Sequence, residues 1–326
     1  MSFEKYKLAN PALLPKPTDI GDYIAYNPSA IWTTESKSGK RHDIMYVRIE
    51  PDRSCSTSSH LGKSLARPYT FDINNFNKPL KPYYEAEEKM GEDPALTRIN
   101  RRLGSGAIEK IWLLSCVDAQ PFPDKLNQVK TLHTKFYAGK KLNTLEHIAD
   151  GPEWMKDIRI AQDLGSTALH IYGRPQPKDC SGNITYTTID SIEKLNAQVI
   201  SEAPFIDETL FEIGSNTWGG VNDVITGPDP NVNILLAHSA RITNESGNKV
   251  QYKSEILAHY LLEKTILRLG VLATANLFPK GTIKADDAKD CRDVVFSGGG
   301  YNGTLQYASF GVRDGSIGIS RVQKLN

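Results

Sequence analysis

One short element recurs five times along the chain at nearly constant spacing. Each copy is a polar amide or acid followed by a short apolar strand, and successive copies begin 64 to 70 residues apart. A Gly, Asn or Pro turn follows, and then a stronger strand rich in β-branched and aromatic residues. The polar residues are Asn27, Asp93, Asp157, Asp223 and Asp293, and the stronger strands lie at 43–50, 109–116, 168–176, 233–242 and 305–314.

Five near-equal units of short strands predict an all-β fold, a five-bladed β-propeller. A four-stranded blade needs about 40–50 residues, so the rest of each unit is expected in loops. We expect one domain over residues 1–326, with blades that start near 27, 93, 157, 223 and 293. A pair of β-sandwiches does not explain the period, and a β-helix needs a much shorter one.

Helical patterns are few, so the propeller is predicted to carry one or two accessory helices. Apolar residues recur at helical spacing within 252–269, which predicts a helical insertion there, and 191–199 is a shorter second candidate. The long loops predicted at 54–88 and 252–290 either cap one end of the propeller or form a homo-oligomer interface.

The charge balance excludes two kinds of partner. The chain has 39 Lys and Arg against 38 Asp and Glu, a net charge of +1, so it lacks the bulk basic charge that grips nucleic acid. No apolar run approaches the roughly 20 residues that cross a bilayer. The first residues lack an apolar signal segment, and the four cysteines are scattered without metal-ligand spacing. We therefore expect a cytoplasmic protein with no metal site.

The propeller prediction brings distant polar residues together. The first strand of each blade lines the central channel, so Asn27, Asp93, Asp157, Asp223 and Asp293 are candidates for one shared site. The alternative is that each of them caps a turn, because Asp and Asn side chains hydrogen-bond their own backbone there.

The most unusual segment places Glu92 and Asp93 between Gly91 and Pro94. Proline restricts the residue before it to extended conformations, which would hold the Asp93 carboxylate in one direction. Such a carboxylate can serve as a general acid or base when burial and a neighbouring charge tune its pKa. A solvated acidic turn is the alternative.

Four cationic or histidine positions lie near the ends of repeat strands, namely Arg48, Lys156, Arg174 and His238. Together they predict a site for a small anion, because a planar guanidinium matches phosphate oxygens. The alternatives are that Arg48 pairs with Glu50 and that His238 is a satisfied core histidine.

A third group suits a sugar ring. Trp218 precedes Asn222 and Asp223, and an aromatic face beside hydrogen-bonding groups fits the C–H face and hydroxyl edge of a sugar. Asp314 adds a carboxylate at the end of a repeat strand. Signatures of metalloproteases, serine hydrolases and calcium sensors are missing from the sequence.

These motifs resemble two related enzyme families, over roughly residues 23–322. The segment 91–99, GEDPALTRI, is similar to the acidic motif of the five-bladed mannoside phosphorylases of glycoside hydrolase family 130. The segments KDIRI, GRP and LLAHSAR resemble more closely the β-1,2-mannosyltransferase and phosphorylase group, glycosyltransferase family 108. One departure is Ala95, where the first family has an arginine.

The resemblance implies a role for each matching position. Asp93 is the implied catalytic acid, acting while phosphate attacks the anomeric carbon with inversion. Lys156, Arg174 and His238 match or adjoin the phosphate-binding positions. The positions implied to hold the mannosyl ring and its neighbours are Asn27, Arg48, Asp157 and Asp314, to which we add Glu92, Trp218, Asn222 and Asp223 from the sequence pattern.

The leading hypothesis is therefore an inverting β-1,2-mannoside phosphorylase or mannosyltransferase. Its partners would be a mannose-containing oligosaccharide and phosphate or mannose 1-phosphate, with phosphate as co-substrate and no other cofactor. The alternatives are a GDP-mannose-dependent β-mannosyltransferase, a β-mannoside hydrolase and a non-catalytic sugar-binding propeller.

Overall fold

A computed structural model describes most of the chain. The described residues are 5–21, 23–51, 64–122, 125–176, 182–207, 210–211, 217–226, 229–242, 250–279, 295–313 and 316–325. Within them, nearly every regular element is a β-strand, and the strands form five separate antiparallel sheets. The sheets are the blades of a five-bladed β-propeller, which confirms the predicted fold.

The first blade starts at Tyr23 and is the most elaborate. Its innermost strand is split in two, and two very short strands pair outside. The strands are β2 (Tyr23–Tyr26), β3 (Trp32–Glu35), β4 (Arg41–Pro51), β5 (Leu65–Phe71), β6 (Lys81–Pro82) and β7 (Lys89–Met90).

The next three blades run from the channel outward in chain order. The second blade contains β8 (Glu92–Arg102), β9 (Ile108–Phe122), β10 (Lys125–Gly139) and β11 (Glu146–Asp150). The third contains β12 (Met155–Gln162), β13 (Leu169–Pro175) and β14 (Thr185–Ile189). The fourth contains β15 (Thr217–Thr226), β16 (Val232–Ile242), β17 (Val250–Tyr260) and β18 (Thr265–Ala273). Each stronger strand predicted from the repeat is the second strand of its blade.

The fifth blade joins the two ends of the chain. It contains β19 (Val295–Tyr301), β20 (Thr304–Val312) and β21 (Ser316–Leu325), and its outer strand is β1 (Lys5–Leu13) from the start of the chain. Strands β1 and β21 are antiparallel, with Lys5 opposite Leu325 and Leu13 opposite Gly318. Backbone hydrogen bonds between the first and last strands therefore close the ring.

The helical insertion predicted over 252–269 is wrong, because this segment forms β17, a turn at 261–264 and β18. Residues 254–259 are all buried, since adjacent blades cover both faces of β17: Ile256 packs against the fifth blade and Leu257 against the third. A strand buried on both faces loses its period of two, and its apolar residues then match helical spacing by chance. The segment near 191–199 does contain helix, as a 3-10 turn at Ile192–Lys194 and the short α1 (Ala197–Ser201).

The predicted loop at 54–88 is also partly strand, because β5 and β6 lie within it. A second short 3-10 helix, Ala275–Leu277, follows β18. Among the described residues, no helix is long and apolar enough to cross a membrane.

Apolar side chains pack mainly between the faces of adjacent blades. Ile99 and Phe136 of the second blade contact the same cluster as Ile158 and Ile171 of the third. Equivalent clusters fill the other blade interfaces, and their side chains are almost fully buried. This packing fixes the inner strands around one channel, so residues far apart in sequence meet at its mouth.

Candidate active site

The inner strands are irregular where the repeat residues lie. Asn27, Asp93 and Asp157 have positive φ angles of 45°, 46° and 51°. The extended conformation predicted for Asp93 is therefore wrong, because the irregular inner strand places it in the left-handed region despite the proline that follows. The pairing register shifts between Glu92 and Ala95 and again between Lys156 and Arg159, and Asn27 interrupts the inner strand between β2 and β3. Asn and Asp tolerate this left-handed conformation better than most residues, and such bulges redirect side chains.

Asp93 is buried between the first and second blades, with 8% of its surface exposed. Its Oδ1 accepts a hydrogen bond from Asn27 Nδ2 at 2.8 Å and one from Arg48 Nη1 at 3.1 Å. Burial alone would raise the pKa of Asp93, but Arg48, Lys156 and Asn27 hold it below its ordinary value. Asp93 is therefore a carboxylate at neutral pH in this structure.

Arg48 connects three carboxylates. Besides Asp93, its Nη2 lies 3.2 Å from Glu92 Oε1. Its Nε and Nη2 also donate to Glu50 Oε2 at 3.1 and 2.8 Å. Glu92 in turn lies 3.6 Å from Lys156 Nζ. The alternative of an Arg48–Glu50 pair thus coexists with the contact to the predicted site.

Glu50 is fully buried and accepts hydrogen bonds from further groups. The hydroxyl of Tyr26 donates to Oε1, and Ser64 Oγ donates to Oε2 at 3.1 Å. The guanidinium of Arg48 also stacks over the Tyr26 ring, 5.0 Å from its centre. The sequence analysis considered Glu50 only as a partner of Arg48. Side chains two residues apart on a strand lie on the same face, so the position of Glu50 on β4 could have indicated that it reaches the same site as Arg48.

A second anionic centre lies at Asp157, which is 1% exposed. Its Oδ2 accepts a hydrogen bond from Arg174 Nε at 2.7 Å and lies 3.9 Å from His238 Nε2. Arg159 Nη2 approaches Oδ1 at 4.0 Å. Burial raises the pKa of Asp157, but Arg174, His238 and Arg159 together hold it well below its ordinary range.

His238 lies within this second centre and is 1% exposed. Its Nδ1 lies 2.8 Å from Asn222 Oδ1, and its ring packs against Phe296 and Tyr252 at centroid distances of 4.7 and 5.8 Å. Burial lowers the pKa of His238 to about 4, against the opposing charge of Asp157. The imidazole is therefore neutral at physiological pH.

Asn222 and Asp223 point to different places. The register of β15 shifts between Val221 and Asp223, so Asn222 occupies the bulge and meets His238. Asp223 accepts hydrogen bonds from the backbone N–H groups of Gly300 and Val224 at 2.8 and 2.9 Å, and burial raises its pKa to about 6. It lines a small cavity further along the channel. Other residues of that cavity are Ala95, Thr97, Ser115 and Arg159.

Trp218 lies towards the start of β15, half-buried, and its ring packs edge-on against Tyr252 at 5.9 Å. Trp218 therefore packs against Tyr252, which in turn packs against His238, and not against the carboxylates. Asp293 and Asp314 lie outside the described residues. Arg159, which contacts the backbone oxygen of Asn222 at 2.8 Å, was missed in the sequence although it lies two residues after Asp157.

The first four blades thus converge on one polar mouth. The carboxyl groups of Glu92, Asp93 and Asp157 alternate with Arg48, Lys156 and Arg174, beside a neutral histidine. No cluster suited to a metal ion occurs within the described part of the chain. Paired charges of both signs suit a ligand that combines sugar-like hydroxyls with a small anion.

Several solved structures share this fold. A mannose phosphorylase from Leishmania mexicana, in complex with phosphate ion, is 21% identical with a TM-score of 0.74, over 97% of this chain and 88% of that one. A GDP-Man-dependent mannosyltransferase from the same organism is also 21% identical, with a TM-score of 0.73 over 97% and 90%. A glycosyl hydrolase from Bacteroides ovatus is 9% identical, with a TM-score of 0.59 over 100% and 98%.

Among curated proteins, no match was found. A family described as a protein of unknown function, DUF1861, matches residues 87–314. This range covers more than half of the chain and includes the acidic motif, Asp157 and His238. The chain therefore belongs to the DUF1861 family.

Proposed function

We propose that this protein transfers a mannosyl unit between a β-1,2-mannoside and phosphate, with inversion at the anomeric carbon. One observation carries the proposal: Asp93 is buried at the channel mouth between Asn27 and Arg48, with the cation Lys156 close to its neighbour Glu92. An oriented carboxylate beside a cationic site is what general acid–base catalysis with an anionic nucleophile requires. The shared fold with a mannose phosphorylase supports the choice of sugar.

Asp93 is the proposed proton carrier. In phosphorolysis, protonated Asp93 gives its proton to the departing glycosidic oxygen while a phosphate oxygen bonds to the anomeric carbon. In synthesis, the Asp93 carboxylate takes a proton from the acceptor hydroxyl while phosphate leaves mannose 1-phosphate. The lowered pKa of Asp93 favours the base role, and a phosphate anion bound nearby would raise that pKa for the acid role.

Asp157 argues for phosphate rather than water as the nucleophile. Inverting hydrolysis needs a second carboxylate that takes a proton from water. Asp157 is the candidate, yet its hydrogen bond from Arg174 and its low pKa make it a weak base. Phosphate is already a nucleophile and needs cations instead, which Lys156 and Arg174 supply.

The remaining residues are proposed to hold the sugars. Asn27 and Asp157 would bind hydroxyls of the transferred mannosyl ring, and Trp218 would face the acceptor sugar. Phosphate is the only co-substrate that the proposal needs. A cytoplasmic location and a homo-oligomer stay predictions.

A second candidate is transfer from GDP-mannose, favoured by the equally similar fold of the GDP-Man-dependent mannosyltransferase. With either donor, the acceptor hydroxyl attacks the anomeric carbon of a mannosyl group, so Asp93 could take the proton of that hydroxyl in both reactions. They differ in the leaving group, which is phosphate in one case and a nucleoside diphosphate in the other.

The deciding experiment incubates the full chain with β-1,2-mannobiose, with and without phosphate, and follows mannose 1-phosphate by NMR. We expect α-mannose 1-phosphate only when phosphate is present. Free mannose without phosphate would indicate a hydrolase, and products from GDP-mannose but not from mannose 1-phosphate would indicate the second candidate.

The role of Asp93 is tested by Asp93→Asn, which keeps the shape of the side chain but removes its acid–base function. Turnover should fall by about 10²- to 10⁴-fold. Asp229→Asn, the same substitution in an exposed turn, is the matched control and should keep full activity. Full phosphorolysis by Asp93→Asn would exclude Asp93 as the catalytic acid.

A further inference from the structure

Three buried side chains form a hydrogen-bonded chain beside the Asp157 carboxylate. His238 Nδ1 lies 2.8 Å from Asn222 Oδ1, and Asn222 Nδ2 donates to Ser297 Oγ at 3.1 Å. Ser297 Oγ in turn donates to the backbone oxygen of Ala237 at 3.2 Å. The exposed fractions of Asn222, His238 and Ser297 are 1%, 1% and 0%, so the protein sets these hydrogen bonds without help from solvent.

The direction of this chain determines the tautomer of the histidine. A serine hydroxyl has one proton, and Ser297 donates it to Ala237, so Ser297 can only accept from Asn222. The amide nitrogen of Asn222 therefore faces Ser297, and its carbonyl oxygen faces His238. An oxygen acceptor at Nδ1 requires the proton to be on Nδ1, which leaves Nε2 with a lone pair.

Nε2 of His238 faces Asp157 Oδ2 at 3.9 Å. That separation is too long for a hydrogen bond, and both atoms are acceptors when the imidazole is neutral. The charged groups around the ring are Asp157 and Asp93, which favour an imidazolium, and Arg174 and Arg159, which oppose it. Burial adds to the opposition, so a neutral ring is expected above about pH 4.

We propose that Asn222 holds His238 as a hydrogen-bond acceptor, and that Nε2 together with Asp157 Oδ2 receives a hydroxyl group of the bound ligand. The identity of that ligand rests on the proposed function: the hydroxyl belongs either to the sugar or to hydrogen phosphate. His238 then differs from Lys156 and Arg174, because it selects for an O–H donor instead of attracting negative charge. Asn222 is the positioning residue that gives it this property.

The tautomer can be measured without turnover. Long-range ¹H–¹⁵N spectra of the full chain with ¹⁵N-histidine separate protonated from unprotonated ring nitrogens, and the signal that disappears in His238→Phe identifies His238. We expect a protonated Nδ1 and an unprotonated Nε2 from pH 6 to 8. A proton on Nε2 would overturn the proposal, whether or not the protein proves to be a mannoside phosphorylase.

Binding measurements identify the source of the hydroxyl. Dissociation constants of β-1,2-mannobiose, phosphate and sulfate are compared at pH 6, where phosphate still carries a proton and sulfate does not. Loss of one hydrogen bond in His238→Phe should weaken one ligand about tenfold. Weaker mannobiose binding alone indicates a sugar hydroxyl, and weaker phosphate but not sulfate binding indicates hydrogen phosphate. Equal weakening of phosphate and sulfate, or no change in any ligand, would contradict the proposal.

Two further variants control for folding and for position. His259→Phe replaces another fully buried histidine, on β17, and should leave all three dissociation constants unchanged. Asn222→Asp still accepts from Nδ1 but adds a negative charge that favours an imidazolium, which turns Nε2 into a donor. If the hydroxyl belongs to the sugar, Asn222→Asp should weaken mannobiose binding about tenfold; if it belongs to hydrogen phosphate, the preference for phosphate over sulfate should fall about tenfold. No change in mannobiose binding and an unchanged preference for phosphate over sulfate would together count against the acceptor role.

Discussion

Arg48 Nη1 lies 3.1 Å from Asp93 Oδ1, and this contact joins the first blade to the second at the channel mouth. The two residues are 45 positions apart in the sequence and come from different sheets. Their separation is therefore set by how the blades pack, and by the groups that hold the Arg48 guanidinium in place. Foremost among these groups is the buried carboxylate of Glu50.

Glu50→Gln should impair both stability and activity. The substitution removes the anion that receives two hydrogen bonds from Arg48, and breaking a buried charge pair costs about 3 kcal/mol of unfolding free energy. Urea unfolding measures this loss. Turnover per folded molecule should also fall, because Arg48 is no longer held towards Asp93. Tyr26→Phe, which removes one donor to Glu50, should have a smaller effect of about 1 kcal/mol; a larger effect than that of Glu50→Gln would contradict this ranking.

Lys156→Met should raise the pKa of Asp93. The Lys156 ammonium is one of the charges that hold this pKa below its ordinary value, so its removal favours the protonated acid. In synthesis, where Asp93 is the base, the acidic limb of the pH–rate profile should therefore move to higher pH. In phosphorolysis, the KM for phosphate should rise. Lys141→Met, at an exposed position in the turn after β10, is the control and should leave the profile unchanged. An unshifted acidic limb in Lys156→Met would separate Lys156 from Asp93.

The repeat predicted much of this architecture because the fold repeats with the sequence. Strands of similar length follow each polar residue, and apolar packing between blades requires the same pattern in every unit. Closure by β1 carries no such signal, because its partner β21 lies at the other end of the chain and only hydrogen bonds along the backbone join them. Strand β17 was mistaken for a helix because the two adjacent blades cover both of its faces.

The site was predictable where the repeat supplied it and not where one blade differs. The side chains of Asn27, Asp93 and Asp157 lie at the channel mouth because their left-handed backbone conformation turns them in that direction. In the fourth blade the bulge falls one residue earlier than the repeat suggested, so Asn222 reaches His238 and Asp223 lines the cavity beyond. A register shift of one residue changes the direction of a side chain, and spacing between units cannot reveal it.

Gly220→Ala should disturb the Asp157 centre by steric overlap alone. A Cβ at this position would lie 2.5 Å from Asp157 Oδ2 and 3.2 Å from Arg174 Nε, so the carboxylate and guanidinium must move apart. We expect phosphorolysis to fall by about tenfold or more, as for a misplacement of about 1 Å in a reacting site. Gly104→Ala is the matched control, since no atom lies within 4 Å of its Cβ. Equal activity of the two variants would place Asp157 outside the functional site.

His259→Phe should flatten the acid side of the stability curve. Burial lowers the pKa of His259 to about 4, so between pH 6.5 and 4 the unfolded chain binds a proton that the folded chain does not. The unfolding free energy therefore falls with falling pH in this window, by up to about 1.4 kcal/mol per pH unit for each such histidine. His238 contributes in the same direction. Asp223 acts in the opposite direction: its pKa is raised to about 6, so its protonation increases the unfolding free energy as the pH falls below 6. Urea unfolding of the wild type and His259→Phe at pH 7, 6, 5 and 4.5 measures the slopes. The variant should lose the share of the slope that belongs to His259, and parallel curves would show that this histidine has the same pKa in the folded and unfolded chains.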